Sequence, residues 1–242
     1  MKFTYGTDVG SVRSDNQDSV YSDILAEECG LFIVADGMGG HLGGKTASSM
    51  AIDIISQTIN KNFNVTLRSG EIKRLLIDSV NEANSVIYKK SLTDPELEGM
   101  GTTLVVMLIS GNTMYTVSVG DSRAYVFNEG RMYQITNDHS LVADLVSKGV
   151  ISNEEAKLHP QKNVITRAVG SEEDVFSDYF ETNLNSGNVV LACSDGLHNV
   201  LSDSEIAKVI SDDEENPANK LISLANERGG NDNITVVAVK IT

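Results

Sequence analysis

Short apolar runs rich in β-branched residues recur along the chain and predict β-strands. They cover residues 31–35, 103–109, 114–119, 124–127, 189–193 and 234–241. A short connection around Gly111 and Asn112 joins the second run to the third, and another around residues 128–130 joins the fourth to a further strand-like segment at 132–135. Because connections this short join antiparallel strands, the middle of the chain is predicted to be a β-meander rather than a βαβ array.

Segments with apolar residues three and four positions apart predict helices on both sides of this strand-rich region. Two long helices are predicted ahead of it, over 46–59 and 72–87, and two shorter ones near 203–211 and 218–228, just before the last strand. Helices with one apolar face occur here in blocks separate from the antiparallel strands. That arrangement favours an α+β layered sandwich.

Residues 138–160 interrupt the pattern and contain few apolar side chains. A short helix is predicted over 139–148, and Ser152 with Glu155 forms a capping box that opens another. Two interpretations stay open for this segment. It is either a mobile flap on one edge of the sandwich or an ordinary surface excursion.

Composition favours a single domain over residues 1–242. Of the 242 residues, 40% are hydrophobic, which suffices for one substantial core, and no repeat or linker interrupts the chain. The N-terminal segment lacks the apolar run of a signal peptide, and no apolar stretch reaches bilayer length, so we expect a cytoplasmic protein without membrane insertion. Cys29 and Cys193 adjoin apolar runs and are predicted to be buried free thiols.

The chain is strongly acidic, with 34 Asp and Glu against 19 Lys and Arg and a net charge of −15. Such a surface repels nucleic acid and anionic lipid, so neither is expected as a partner. A site that acts on phosphate needs local positive charge. Bound divalent cations are one way to supply it.

Four aspartates stand where predicted strands begin or end, Asp36, Asp121, Asp195 and Asp232, and a fifth, Asp18, ends a loop beside an early strand-like segment. Any one of them is readily explained as a turn former. If paired strands bring all five to one edge, their carboxylates repel one another in a cleft of low dielectric, and hard cations such as Mg²⁺ or Mn²⁺ would neutralise them. Two such ions about 4 Å apart would acidify a shared water for in-line attack on a phosphoryl group.

A competing motif lies close by. Residues Gly39 to Thr46 match G-x-x-x-x-G-K-[ST], the phosphate-binding loop of many nucleotide hydrolases. Two features argue against that function. Those enzymes use a parallel sheet, whereas short hairpins predict an antiparallel one. The predicted strand also ends at Asp36, which leaves Asp36, Gly37 and Met38 before the first motif glycine. This interpretation ranks second.

Four motifs occur in order along the chain: Asp36-Gly37-Met38-Gly39-Gly40-His41, Gly120-Asp121-Ser122-Arg123-Ala124, Ser194-Asp195-Gly196-Leu197 and Asp232-Asn233-Ile234-Thr235. Together with Arg13 and Asn16-Gln17-Asp18 they resemble the metal-dependent type 2C protein serine/threonine phosphatases, specifically the small bacterial members. The resemblance implies a four-layer α-β-β-α sandwich with two central antiparallel sheets flanked by helix pairs, in which 138–160 is a flap. It also implies hydrolysis of phosphoserine and phosphothreonine monoesters by a metal-activated water.

The resemblance implies a set of ligands for two core ions, Mn²⁺ or Mg²⁺. Asp36 looks like the carboxylate that bridges the two ions, and Gly37 would contribute its backbone carbonyl to one of them. Asp195 and Asp232 resemble the remaining ligands of the first ion. Asp18 matches the acid that holds the second ion, chiefly through water.

Further roles are implied beyond the core ions. Asp121, with help from Asp195, resembles the ligand of a third, weaker ion, and Arg13 resembles the phosphate-binding arginine of the family. Many eukaryotic members carry a histidine directly after the Asp-Gly pair, where this chain has Met38. His41 is the nearest histidine, and its roles as general acid or as a brace for the following helix both stay open.

The same resemblance suggests partners. The substrates would be phosphorylated proteins, among them a bacterial serine/threonine kinase and its targets, and we expect the phosphatase to act as a monomer. A regulator of this fold that binds metal or a partner without catalysis is a further hypothesis.

Overall fold

A computed structural model of the chain describes residues 1–212 and 215–242, and of His41 only the backbone. The strands are β1 (Lys2–Asp8), β2 (Asp18–Ala26), β3 (Cys29–Met38), β4 (Gly101–Thr102), β5 (Leu104–Ser110), β6 (Thr113–Val119), β7 (Arg123–Asn128), β8 (Arg131–Gln134), β9 (Asp178–Asn183), β10 (Val189–Cys193) and β11 (Ile234–Lys240). The helices are α1 (Gly40–Asn62), α2 (Ser69–Thr93), α3 (Leu141–Ser147), α4 (Asn153–Leu158), α5 (Asp195–His198), α6 (Asp203–Asp212) and α7 (Pro217–Glu227), with a 3₁₀ turn at Pro95–Leu97.

Two sheets form the middle of the molecule. Sheet A has the order β1-β11-β10-β7-β8, and sheet B has the order β2-β3-β5-β6-β9 with β4 paired to β3. Neighbouring strands pair antiparallel throughout. Apolar residues of α1 and α2 pack on sheet B, and those of α6 and α7 pack on sheet A. The predicted α+β four-layer sandwich is therefore confirmed.

A third apolar cluster fills the space between the sheets, and we call it the inter-sheet core. Its buried members are Phe32, Val34, Val105, Met107, Ile109, Met114, Ala124, Val126, Leu184, Val190, Ala192, Val237, Val239 and Ile241. Strand β3 shows how the sequence builds two cores at once, because Leu31 and Ile33 pack toward the helices while Phe32 and Val34 pack between the sheets. A strand covered on both faces is expected to be a continuous apolar run.

The prediction of one β-meander is wrong. The two hairpins exist, with Gly111 in the turn of one and Gly130 in the turn of the other, both at positive φ. Strand β6 belongs to sheet B, however, and β7 to sheet A. The chain changes sheets within residues 120–122, and short hairpin connections alone do not indicate which hairpins share a sheet.

The structure also corrects the reasoning about the glycine-rich motif. Strand β3 does not end at Asp36 but continues to Met38, and α1 begins at Gly40 rather than at residue 46. Most of the Gly39–Thr46 motif is therefore helical rather than a loop around a phosphate. The helical start and the antiparallel sheet contradict a nucleotide-binding loop here.

Other boundaries differ more modestly. The short helix predicted from residue 139 begins at Leu141 after the N-cap Ser140, whereas the capping box at Ser152 is present as predicted. Both cysteines are buried free thiols, as predicted. Strands β1 and β9 were not predicted, because each is half-buried and lacks an apolar run. Among the described residues, no helix combines the length and apolarity that a membrane crossing requires.

Candidate metal centre

The site arises where the layer between the sheets changes from apolar to polar. Successive side chains of a strand alternate between its faces, so Asp36 lies on the same face of β3 as Phe32 and Val34. On β11, Thr235 precedes Val237 and Val239 on the inter-sheet face in the same way. On both strands, the side chains that face the space between the sheets are therefore apolar in the middle and polar at the end near Asp36 and Thr235.

Both sheets contribute carboxylates to this end. In the β2–β3 register Asp18 lies directly opposite Asp36. Asp195 begins α5 just after β10, and Asp232 lies two residues before β11. Asp121 stands in the connection from sheet B to sheet A. We call these five residues the aspartate edge, and their meeting at one end of the sandwich is the arrangement that the sequence predicted.

A cleft of about 480 Å³ opens over the aspartate edge. Its lining includes Arg13, Asp36, Gly37, Met38, Asp121, Asp195 and Asp232. Asn163 and Ile165, just beyond the segment 138–160, also line it. Asp18 lies beneath the lining, only 1% exposed, where its Oδ2 accepts a 2.8 Å hydrogen bond from the Ser194 hydroxyl.

Burial and mutual repulsion raise the pKa of four of these carboxyls. Burial is the largest cause in each case, and it raises the pKa of Asp18 to about 6, that of Asp121 to about 6 and that of Asp195 to about 8. The pKa of Asp36 rises well above its usual range, through burial and then through the charges of the other four aspartates. Ionising the whole edge near neutral pH therefore requires a compensating positive charge.

Two buried carboxylate oxygens show where that charge is needed. Within the described residues, Oδ1 of Asp18 and Oδ1 of Asp195 have no hydrogen-bond partner. An unpaired buried carboxylate oxygen is costly, and hard cations prefer such ligands. Among the residues that the structure describes, no three or more His, Cys, Asp or Glu side chains lie close enough together to coordinate an ion without other ligands. Water and backbone carbonyls would have to complete the coordination, as is usual for Mg²⁺.

Gly37 occupies a position that only glycine fits. A Cβ there would lie 2.0 Å from the carbonyl oxygen of Gly44, so β3 and the start of α1 pack backbone against backbone. This contact also explains why the glycine-rich segment is helical despite its low helix propensity. The close packing leaves Gly37 at the cleft with no side chain to obstruct an ion.

Arg13 brings a cation to the rim of the cleft. Its Nη2 donates a 2.7 Å hydrogen bond to Oδ2 of Asp232, which raises the pKa of the guanidinium, and 56% of the Arg13 side chain is exposed. The sequence predicted that Arg13 and Asp232 serve one site but not that they pair. The side chain of His41, for which the general-acid and helix-bracing roles were both left open, lies outside the described part of the structure.

Polar residues that sequence reasoning missed hold the carboxylates in place. The Ser194 hydroxyl, which donates to Asp18, also accepts from the backbone N–H of Thr235 at 2.9 Å. Asn233 fixes the loop that carries Arg13: its Nδ2 donates to the carbonyls of Val9 and Asp15, both at 2.9 Å. Each residue directly adjoins an aspartate in the sequence, Ser194 before Asp195 and Asn233 after Asp232, and this position could have indicated a supporting role.

Two histidines contact the connection that carries Asp121. Nδ1 of His139 accepts a 3.1 Å hydrogen bond from the Gly120 N–H, and Nε2 of His198 lies 3.0 Å from the Asp121 carbonyl oxygen. Burial lowers the pKa of His139 and lowers that of His198 to about 3. Both imidazoles are therefore neutral near neutral pH. Neither histidine was predicted from the sequence to have a role.

Comparison with known proteins agrees with this architecture and with the motifs. The family model described as protein phosphatase 2C matches residues 6–225. The serine/threonine phosphatase Stp of Listeria innocua is 37% identical, over 99% of this chain and 96% of its own. The serine/threonine phosphatase structure from S. agalactiae superposes with a TM-score of 0.92 at 36% identity, covering 100% of this chain and 99% of that one.

A second solved structure bears on the ions. The catalytic domain of the serine/threonine protein phosphatase PstP, solved in complex with two manganese ions, is 34% identical and has a TM-score of 0.85. The match covers 100% of this chain and 98% of that chain. On the full-length sequence match and the shared fold, this chain belongs to the protein phosphatase 2C family.

Proposed function

We propose that this protein hydrolyses phosphoserine and phosphothreonine monoesters of other proteins, with Mn²⁺ or Mg²⁺ as cofactor. The observation that carries the proposal is the aspartate edge: four of its carboxyls have raised pKa values, and two buried oxygens lack partners. Relatives that match nearly the whole chain are named serine/threonine phosphatases, which supports the reaction class.

Two core ions would share the centre of the edge. Asp36 would be the ligand shared by both ions, because it lines the cleft and the charges of the other four acids all raise its pKa. Gly37 would supply a backbone carbonyl, and Asp195 and Asp232 would supply the remaining protein ligands of the first ion. Asp18 serves the second ion chiefly through water, which fits its place beneath the cleft lining.

A third, weaker ion would lie between Asp121 and Asp195. The charge of Asp121 is the largest electrostatic cause of the raised pKa of Asp195, after burial. Two carboxylates that repel each other are a reasonable seat for a cation. A site built from these two acids would leave most coordination positions to water, which is consistent with weak binding.

When bound, the cations lower the pKa of a water and neutralise phosphoryl oxygens. The protein supplies the phosphate grip: the planar guanidinium of Arg13 can hold two phosphate oxygens once it leaves Asp232. No thiolate nucleophile is available from Cys193, because burial raises the pKa of its thiol to about 12. The residues therefore favour direct hydrolysis over a cysteinyl-phosphate intermediate.

Several parts of the proposal rest on sequence alone. They are the general-acid role of His41, a single catalytic domain over 1–242, a monomeric state, a cytoplasmic location, and a serine/threonine kinase with its targets as partners. For His41, the test is a change in the pH profile of turnover in His41→Gln.

The deciding experiment assays the purified protein on para-nitrophenyl phosphate and on phosphoserine and phosphothreonine peptides, with added Mn²⁺ and with EDTA. The proposal predicts turnover of all three substrates that EDTA abolishes and Mn²⁺ restores. Mn²⁺ binding without turnover of any of them would instead favour a non-catalytic regulator. ATP turnover without phosphopeptide turnover would contradict the proposed class of substrate.

A further inference from the structure

Two hydrogen bonds with His139 hold the backbone at Gly120, directly before Asp121. Gly120 has φ of +92°, and the chain crosses here from sheet B to sheet A. His139 bonds to Gly120 in both directions: the His139 N–H donates to the Gly120 carbonyl at 2.9 Å, and the Gly120 N–H donates to Nδ1 of the ring at 3.1 Å. Gly120, directly before Asp121, is thus held by both the backbone and the side chain of His139.

These contacts determine the tautomer of His139. Because Nδ1 accepts a hydrogen bond, the ring proton of the neutral imidazole must be on Nε2. Nε2 lies 3.3 Å from Oδ2 of Asp178, which can accept that proton's hydrogen bond. Nη1 of Arg167 lies 3.2 Å from the same Nε2, and because both nitrogens then carry protons, it is Asp178 that holds the cationic and the neutral donor side by side. Asp178 in turn accepts a 3.1 Å hydrogen bond from Arg167 at its other oxygen. The imidazole is thereby oriented by a carboxylate on one side while it holds a backbone amide on the other.

The two ends of the segment 141–165 meet at the same histidine. The His139 carbonyl accepts from the Thr166 N–H at 2.8 Å, and Ser140 forms a bridge to Ile165. His139 itself is only 5% exposed. A buried side chain with this many specified partners is better suited to fixing geometry than to contacting substrate.

We infer that His139 is a positioning residue for Asp121: its Nδ1 fixes the Gly120 amide so that the Asp121 carboxylate stands at the cleft opposite Asp195. The inference rests on the proposed function in one respect, the assignment of Asp121 to the weak third ion. What is new is that the imidazole of His139, which does not line the cleft, would set the affinity of the third-ion site through its hydrogen bond to the Gly120 amide.

Two substitutions distinguish the contact made by Nδ1 of the imidazole from the contact made by Nε2. The Asn side-chain oxygen is as many bonds from Cα as Nδ1 of His, so His139→Asn can keep the acceptor for Gly120 while losing the reach to Asp178. The Gln terminal group matches Nε2 instead, so His139→Gln keeps the contact with Asp178 and loses the acceptor. If the Gly120 amide is what matters, the Asn variant retains function and the Gln variant does not.

The test is a Mn²⁺ titration of the whole protein with free Mn²⁺ counted by electron paramagnetic resonance. We expect His139→Gln to raise the Kd of the weak site by about three- to tenfold, the range for losing one neutral hydrogen bond, while the tight sites keep their affinity. We expect His139→Asn to stay near wild type. Ser152→Ala is the matched control, since it removes the capping box of α4 in the same segment without touching the corner.

Asp121→Asn separates the possible failures. If it abolishes weak binding while His139→Gln binds like wild type, the inference is overturned and the proposed third site stands. If Asp121→Asn leaves all Mn²⁺ binding unchanged, the third-ion assignment is wrong and the inference falls with it. Exchange of the Gly120 amide, followed by NMR, gives an independent readout. The inference requires fast exchange in His139→Gln and slow exchange in His139→Asn, and equal rates in both variants would contradict it.

Discussion

The inter-sheet core and the aspartate edge occupy one layer between the same two sheets, yet they make opposite contributions to stability. The core contains apolar side chains that gain free energy by leaving water. A few residues further along the same strands, the edge buries carboxyls whose pKa values rise because burial and neighbouring charge oppose their ionisation. The comparison teaches that the core supplies the stability that keeps an otherwise unfavourable site assembled.

The largest expected effect removes charge from the edge. Asp36→Asn should lower turnover of para-nitrophenyl phosphate by more than about a hundredfold, because even residues that only support metal ligands cost about 10- to 100-fold. In EDTA the same variant should melt at a higher temperature than wild type, since one of the repelling buried carboxylates is gone. A well-folded Asp36→Asn protein with undiminished Mn²⁺-dependent activity would remove the bridging assignment.

The matching change in the core should act in the reverse direction. Phe32→Ala deletes a fully buried ring that also packs edge-to-face on Phe3, and it should cost about 3–5 kcal/mol of unfolding free energy. Activity per folded molecule should stay within a few-fold of wild type, because Phe32 is not among the residues that line the cleft. Denaturant melts and assays well below the melting temperature check both parts. Loss of activity without loss of stability would show that core and edge are not separable.

A third change affects the rim. Arg13→Ala should lower kcat/KM by about 10- to 100-fold, the cost of losing hydrogen bonds to a charged group. It should change stability by no more than about 1 kcal/mol, because the Arg13–Asp232 pair is largely exposed. Arg13→Lys is the matched control: it keeps the charge but not the planar fork, and it should recover only part of the activity. Full recovery with lysine would mean that Arg13 acts through charge alone.

The smallest expected effect is a pH dependence of the metal-free protein. Asp195 has a folded-state pKa of about 8, above that of an unfolded aspartate, so the folded state holds an extra proton between those values. Stability therefore falls as pH rises toward and through about 8. Above about pH 7 the buried histidines are essentially neutral in both states, but the buried Cys193 thiol, with a folded-state pKa of about 12, adds a fall of the same sign. The comparison with Asp195→Asn is therefore what isolates the carboxyl.

In EDTA the melting temperature should drop by on the order of a few degrees from pH 7 to 9. Asp195→Asn should show a shallower drop, and saturating Mn²⁺ should remove most of it. A metal-free melting temperature that rises with pH over this range would contradict the proposed repulsion at the edge.

How far the sequence predicted the fold depended on burial. Strands β3, β5 and β10 are covered on both faces, so their apolar runs identify them without ambiguity. Strand β1 lies at a sheet edge with a mixed polar face, and local pattern alone did not distinguish it from a loop. The assignment of hairpins to two sheets depends on packing between distant segments, which no local signal contains.

The candidate site was more predictable than the contacts that support it. Four of the five aspartates were found because each adjoins a strong strand signal, whereas Asp18 was found through its place in the Asn16-Gln17-Asp18 motif. The helical start at Gly40 was missed because the glycines suggested a loop, whereas packing of Gly37 against Gly44 requires them. Arg13 and Asp232 are 219 positions apart in the sequence, and Gly120 and His139 are 19 positions apart. Only the tertiary structure brings each pair together.

The most direct test of the account is an anomalous difference map from a crystal soaked in Mn²⁺. The account predicts two strong peaks that share Asp36, one of them also contacted by Asp195 and Asp232. It further predicts a weaker peak between Asp121 and Asp195. A map with no manganese among these carboxylates, or with the side chains turned toward separate solvent regions, would contradict it.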